Sequence, residues 1–293
     1  MIPYVIIIDR SFEYSVGIGV LKVDVSFLHK DQEGERYIID KIDITRGYAE
    51  NYIRATSSFE RQNDLQTTDL LTYGYQKIEN VLTPEQCAYY IEQTDGPLTN
   101  WVQSVNKRKI IPILEELITA EVDKAIISHF ESEYIPTTIG FSRNEAGSDD
   151  VSSLWHYDGG PTKHLIMMVY LTDSEEDGSG TTIFVNRETS DAFKERGYAF
   201  CKVGERRDDF GAQQLANHFE VDFKPINLGT RAGDAVIFDA RHIMHRGLYP
   251  KKLPRYLIAT SFVPYFQNWK TGCNVTYFPR QAGPYETYPK FSW

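Results

Sequence analysis

The sequence predicts a mainly β protein with flanking helices, in the manner of an antiparallel jelly roll, and three observations carry that expectation. Short apolar runs rich in β-branched and aromatic residues follow one another after Pro136. Gly- and Asp-containing turns separate them. Aromatics make up 13% of the chain, with 19 Tyr and 16 Phe, which suits sheets better than a helical bundle.

Residues 1–70 read as a β-rich extension of unknown role. Val23, Val25 and Phe27 alternate with polar residues, as do Ile42 and Ile44, with a turn expected at Asp31-Gln32-Glu33-Gly34-Glu35. The polar stretch from Ser57 to Asp69 reads as a linker. From residue 71 to 293 a single jelly-roll domain is expected, with a helical lead-in over 71–135. Tyr73 to Ile78 is a short strand. Thr83, Pro84 and Gln86 then form a helix start: a cap, a proline at the first helical position and a capping-box partner. That helix runs to about Thr94 before Gly96-Pro97. A second helix is expected over 111–131, where Leu114, Leu117, Ile118, Val122, Ala125, Ile126 and Phe130 make one apolar face.

The strands follow at 138–142, 165–171, 181–185, 235–238 and 256–262. Residues 186–225 are a long, mixed-charge insertion, expected to be a loop or lid near the site. The Tyr- and Phe-rich tail after Pro264 should pack back as coil. There is no internal repeat.

Composition narrows the function. The 293 residues suffice for a substantial core. A net charge of −10 argues against a nucleic-acid surface. Cys87, Cys201 and Cys273 are odd in number and widely spaced, which implies neither a disulfide framework nor a zinc motif. The apolar stretch Ile2–Ile8 has no basic region before it and meets Asp9-Arg10 too soon for a signal peptide. No stretch reaches the length of a membrane span. The expected location is the cytoplasm, with a small-molecule partner and neither nucleic acid nor membrane; the oligomeric state leaves no mark.

The chemistry centres on Leu154-Trp155-His156-Tyr157-Asp158-Gly159-Gly160. On a strand, residues two apart share a face, so His156 and Asp158 can converge on one ion. Trp155 alternates with them and should point into packing. A second histidine would complete a 2-His-1-carboxylate set with positions left open on the metal. His242 and His245 both qualify. Being three apart, they face opposite sides of a regular strand, and His245 is preferred for its spacing to Arg255. The turn between Gly247 and Pro254 folds Arg255 back beside it, where a guanidinium can grip a carboxylate in two parallel hydrogen bonds. Arg143, Asn144, Lys163 and His164 are candidates for the mouth, although a solvated rim is the plainer reading. Arg206-Arg207-Asp208-Asp209 reads as an exposed charged loop.

In order and spacing, the chain resembles the Fe(II)/2-oxoglutarate-dependent dioxygenase superfamily, in the branch of prolyl and lysyl hydroxylases and phytanoyl-CoA hydroxylase-like enzymes. The matching stretches are His156-Tyr157-Asp158, Val169-Tyr170-Leu171-Thr172-Asp173, Gly178 to Phe184, Gly233 to Phe238, His245-Arg246-Gly247 and Arg255-Tyr256-Leu257. They span about residues 138–264, and residues 1–70 match nothing. The resemblance implies a cupin-like double-stranded β-helix with His156, Asp158 and His245 as metal ligands and catalytic centre. It implies Arg255 as the grip on the distal carboxylate of 2-oxoglutarate, and Tyr170 as either a second contact to it or a core aromatic. Fe(II), 2-oxoglutarate and O2 would act together on an unactivated C–H bond, releasing succinate and CO2. The retained Asp158 argues against halogenation and for hydroxylation, or a desaturation or cyclisation. The substrate expected is an amino acid or a biosynthetic intermediate. The alternatives are a protein prolyl- or lysyl-type hydroxylase and a non-catalytic jelly-roll binding protein.

Overall fold

Two antiparallel sheets face each other and helices cover the outer side of the larger one. The computed structural model describes residues 54–95, 102–103, 107–147, 151–158, 163–174, 181–199 and 203–272, together with the backbone of five short strands near the start of the chain. Those strands are β1 (Val5–Ile8), β2 (Ser11–Val16) and β3 (Gly19–Asp24), which form a meander, and β4 (His29–Lys30) paired with β5 (Tyr37–Ile38). Val23 falls on β3. Val25, Phe27, Ile42, Ile44 and the turn expected at Asp31 to Glu35 lie outside the described residues, as does the tail beyond Gly272.

The lead-in is built on local signals. Helix α1 (Asp69–Tyr73) is capped by Thr68 and ends at Gly74, whose φ of +83° is the left-handed conformation glycine tolerates. Strand β6 (Tyr75–Ile78) and helix α2 (Pro84–Asp95) follow. The capping box is present: Gln86 N donates to Thr83 Oγ1 at 3.3 Å, and Thr83 N donates to Gln86 Oε1 at 2.9 Å. After β7 (Val102–Gln103) the helix expected over 111–131 is two helices, α3 (Lys107–Leu117) and α4 (Ala120–Phe130). Thr119 divides them: it is extended at ψ 168°, and its side chain accepts from Val122 N as a new cap. Leu117 and Val122 still enter one core. The stretch Ser57–Asp69 is packed rather than a linker. Phe59 enters that core, and Arg61 pairs with Asp123 at 2.5 Å and Glu133 at 3.4 Å.

The larger sheet runs β6-β12-β9-β14-β8-β7, with β8 (Tyr134–Asn144), β9 (Leu165–Tyr170), β12 (Ala235–Phe238) and β14 (Arg255–Pro264). The smaller runs β11-β10-β13, with β10 (Thr182–Phe184), β11 (Ile226–Asn227) and β13 (His245–Gly247). Every strand pairing is antiparallel, so the described residues form a mixed α/β structure on antiparallel sheets. Side-chain alternation assigns the two faces of the larger sheet. Met167, Val169, Ala235, Ile237 and Ile258 face the helices. Met168, Tyr170, Val236 and Phe238 face the smaller sheet and meet Phe184 there. Both faces of β12 and β9 are covered, which explains their nearly continuous apolar sequences.

The insertion is helical. α5 (Arg187–Glu195) and α6 (Asp209–Phe219) carry a second core of Phe193, Tyr198, Leu215 and Phe219. The expectation of a loop is corrected, since capped, amphipathic segments bury their own apolar stripes against the smaller sheet; the expected place near residues 155–158 is as found. Asn186 and Asp208 supply the caps.

Gly233 joins the lead-in to the sheet. Its φ is +95°, its carbonyl accepts from Leu82 N at 3.1 Å, and a Cβ there would lie 2.2 Å from Leu82 O. Gly233→Ala is expected to cost about 3 kcal/mol in urea unfolding, because strain and a backbone clash combine. Gly147→Ala, at φ +75° with open space around it, should cost about 1 kcal/mol.

Candidate metal centre

His156 bridges His245 of β13 and Trp155 bridges Arg207, as isolated bridges rather than a continuous strand. His156 N donates to His245 O and His245 N donates to His156 O, both at 3.0 Å. Such a directly opposed pair puts both side chains on one face. The imidazole centroids stand 4.5 Å apart. One residue beyond Tyr157, Asp158 N donates to Ala240 O at 2.9 Å, which brings its carboxylate onto the same point. His156 Nε2 is 3.4 Å from Asp158 Oδ1, and His245 Nε2 is 3.7 Å from Oδ2. The three donor atoms all lie within 4.8 Å of one another, and these residues could hold a metal ion.

The outer nitrogens fix the tautomers. His156 Nδ1 is 2.6 Å from Leu154 O and His245 Nδ1 is 2.9 Å from Ile243 O. A carbonyl only accepts, so each Nδ1 carries the proton and each Nε2 presents its lone pair to the shared point. This is the arrangement a metal-binding histidine requires. Burial, with His156 alongside, pushes His245 down to about 4, so it is neutral and ready to ligate at pH 7. Burial alone would raise the Asp158 carboxyl. In acid, where the imidazoles beside it become charged, their attraction outweighs that and holds it below the usual carboxylate range. Phe238 walls the site, its ring 4.8 Å from that of His245.

His242 does not join. It sits in the turn between β12 and β13, and its Nδ1 binds Asp239 at 2.9 Å. Trp155 points into the second core as expected, away from the donors. Arg143 turns to the rim, pairing with Asp95 and Glu145 at 2.7 Å each. Asn144 lies opposite Arg255 in register. Lys163 and His164 are half-buried, and burial lowers the His164 imidazole while Asp158 and Asp239 oppose that.

Arg255 starts β14 on the face turned toward the smaller sheet. Its guanidinium lies behind Gly247, two residues along the strand from His245: a Cβ on Gly247 would be 3.6 Å from Arg255 Nη1. Nη1 donates to Leu248 O at 2.9 Å, which fixes the fork. Tyr170 is fully buried, and its hydroxyl is held by Thr182 of the facing sheet, at 2.9 Å from Oγ1 and 2.8 Å from the backbone N. It ties the two sheets together at the Arg255 end.

The residue that sequence reasoning missed is Asp209. Its Oδ1 accepts from Trp155 Nε1 at 2.9 Å and Arg246 Nε at 3.0 Å, and its Oδ2 accepts from Arg246 Nη2 at 2.6 Å. Trp155 precedes one ligand and Arg246 follows the other, so one carboxylate from the insertion clamps both ligand segments. No local signal marks it, because its partners are 37 and 54 residues away.

Two outcomes follow for metal and acid. Asp209→Ala should weaken metal binding roughly tenfold or more through loosened ligands. Asp208→Ala, which removes only the α6 cap, should cost about 1 kcal/mol of stability and leave metal affinity unchanged; calorimetric metal titration beside urea unfolding separates the two. For the metal-free chain, burial also pushes His129 down to about 3. Unfolded, His129 and His245 regain ordinary values near 6.5 and bind protons that the native state refuses. Stability should therefore be complete above about pH 6.5 and fall toward pH 4, by up to about 1.4 kcal/mol per pH unit for each histidine. Protonation of Asp158 and Asp239, both held low by the histidines beside them, adds a further loss below about pH 3.9. Urea midpoints across this range measure it.

No protein-family model matches the sequence, and no curated protein does. Solved structures do resemble the fold at a distance. EctD from S. alaskensis with bound Fe is 14% identical, with a TM-score of 0.49 over 72% of this chain and 83% of that one. The non-heme alpha ketoglutarate dependent epimerase SnoN from nogalamycin biosynthesis is 15% identical, with a TM-score of 0.45 over 73% and 90%. The non-heme alpha ketoglutarate dependent carbocyclase SnoK from the same biosynthesis is 13% identical, with a TM-score of 0.46 over 79% and 95%.

Proposed function

We propose that the chain is an Fe(II)- and 2-oxoglutarate-dependent oxygenase that hydroxylates an unactivated C–H bond of a small molecule, an amino acid or a biosynthetic intermediate. The observation that carries this reading is the convergence of His156, Asp158 and His245, with Arg255 set behind Gly247 on the same face. Two imidazoles and one carboxylate are the donor set suited to non-haem iron with positions left open. The strand order of the two sheets suits a double-stranded β-helix, with His245 on the smaller sheet and His156 bridged to it.

The spacing supports the co-substrate. Two residues along a strand cover roughly 6.7 Å, a span that a five-carbon dicarboxylate can bridge from the ligands to the Arg255 guanidinium. Arg255 would hold the distal carboxylate in a bidentate pair, with Leu248 O fixing the fork and Tyr170 beside it as the tie between sheets. When bound, iron would supply oxygen activation coupled to decarboxylation of 2-oxoglutarate to succinate. The chain's own part is to turn the Nε2 lone pairs of the two imidazoles to one point, present Asp158 as carboxylate, and wall one side of the site with Phe238 and Phe184.

Anaerobic addition of Fe(II) and then 2-oxoglutarate should produce the visible metal-to-ligand charge-transfer band. Asp158→Ala should abolish the band. Arg255→Ala should keep iron binding but raise the 2-oxoglutarate concentration needed roughly fiftyfold, the loss of a charge-assisted pair. A folded wild-type chain that gives no band would sink this reading.

A further inference from the structure

Positive charge collects at the end of the sandwich that carries the metal ligands, with Lys194 buried and Arg187 half-buried, and the chemistry above does not use it. Three segments leave the sheets at that end: the turn 239–243 after Phe238, the lead into β9 at Lys163, and α5 after Phe184. Arg255, Tyr170, Thr182 and Gly247 lie toward the other end. The ligands stand between two cationic poles.

α5 sets Arg187, Ser190, Asp191 and Lys194 along one face at three- and four-residue steps. Ser190 locks that face to the ligand segments. Its Oγ accepts from Met244 N at 3.0 Å, and its carbonyl accepts from the hydroxyl of Tyr157, the residue between His156 and Asp158, at 2.6 Å. Lys194 is 5% exposed, and its Nζ stands 5.6 Å from the Tyr157 ring centroid. Its ion partner is Asp191 at 3.0 Å, a carboxylate that is itself 48% exposed. Arg187 lies against Gly74, where a Cβ would stand 3.1 Å from its Nη2. The Gly74 carbonyl accepts from Asp239 N at 2.8 Å, so the guanidinium borders the turn.

Arg187 and Lys194 are matched in number by Asp191 and Asp239, but not in placement. Asp239 is the buried acid of this cluster, and His242 takes its hydrogen-bonding capacity, with His129 Nε2 a further 3.5 Å from Oδ2. Arg187 has no carboxylate within ion-pair distance among the described residues. Burial pushes the Lys194 ammonium down from its ordinary value, with Asp191 and Asp239 opposing. A cation partly held out of water with no acid close by is costly, and an anion that reaches it relieves that cost.

We propose that this pole is the substrate's anion subsite: Arg187 and Lys194, beside a His242 oriented by Asp239, receive the carboxylate or phosphate of an acidic small-molecule substrate. The inference rests on the metal-centre reading for its role in turnover, and on geometry alone for anion binding. With Arg255 committed to the co-substrate, the two poles divide the two anions between them.

Sulfate, titrated into the full-length metal-free chain at constant ionic strength and followed by calorimetry, is the probe. Saturable binding is expected. Arg187→Gln and Lys194→Met should each weaken it roughly tenfold. Asp191→Asn, which removes a competing carboxylate, should tighten it, a gain that misfolding cannot produce. Arg255→Ala should leave it unchanged. Binding that is absent, indifferent to Arg187 and Lys194, or lost with Arg255→Ala overturns the proposal. Inorganic phosphate and acetate in the same titration decide the head group by which binds more tightly. Arg187→Gln should retain the Fe(II)·2-oxoglutarate band. A wild-type chain that binds sulfate as described yet gives no band would remove the iron reading and leave the anion subsite standing.

Discussion

The reciprocal pair of hydrogen bonds between His156 and His245 is the constraint on which the centre depends. Side chains two residues apart converge only if the backbone is extended, and residues 155–158 belong to no continuous strand. β13 supplies the missing order from one side, Ala240 from the other, and Asp209 from above. Each contact is ordinary in strength, worth about 1 kcal/mol net. Together they bring two buried imidazoles and a half-buried carboxylate to one point, where each relieves the cost of holding the others out of water.

The distribution of charge runs against the chain's overall sign. The protein carries a net charge of −10, yet Arg255, at the inner face of the larger sheet, and Lys194, on α5, are both buried. A net negative charge repels anions at long range, while the interior cations act only over short distances. Selectivity at such a centre is thus set inside the cleft, by forks and fixed distances, rather than by the field outside it.

Much of this was legible in the residues. The capping box at Thr83 and the alternation along β9, β12 and β14 are local, so the elements followed directly. The His156, Asp158 and His245 set was legible through spacing, and His242 separates from it because it occupies a turn, where strand alternation gives no guidance. The insertion was misread although its signals were present: Ala212, Leu215, Ala216 and Phe219 recur at helical steps behind Asp208, but the dense charge around them suggested a loop. The division at Thr119 also had a signal, a cap residue between two apolar runs. Asp209 and the Arg187–Lys194 face had none, since their meaning comes from partners brought near by the sheets.

The second core has a consequence for exchange of the ion. Trp155, Tyr157 and Met244, the neighbours of the ligands in sequence, are buried with Phe193, Leu215 and Phe219 of the insertion rather than in the main core. Opening of α5 and α6 therefore releases the backbone that holds the donors, without unfolding the larger sheet. An ion bound at the donors stabilises the closed insertion by the same free energy with which the closed insertion retains the ion. Protection of the amides of those two helices from hydrogen exchange should therefore rise with occupancy of the donors.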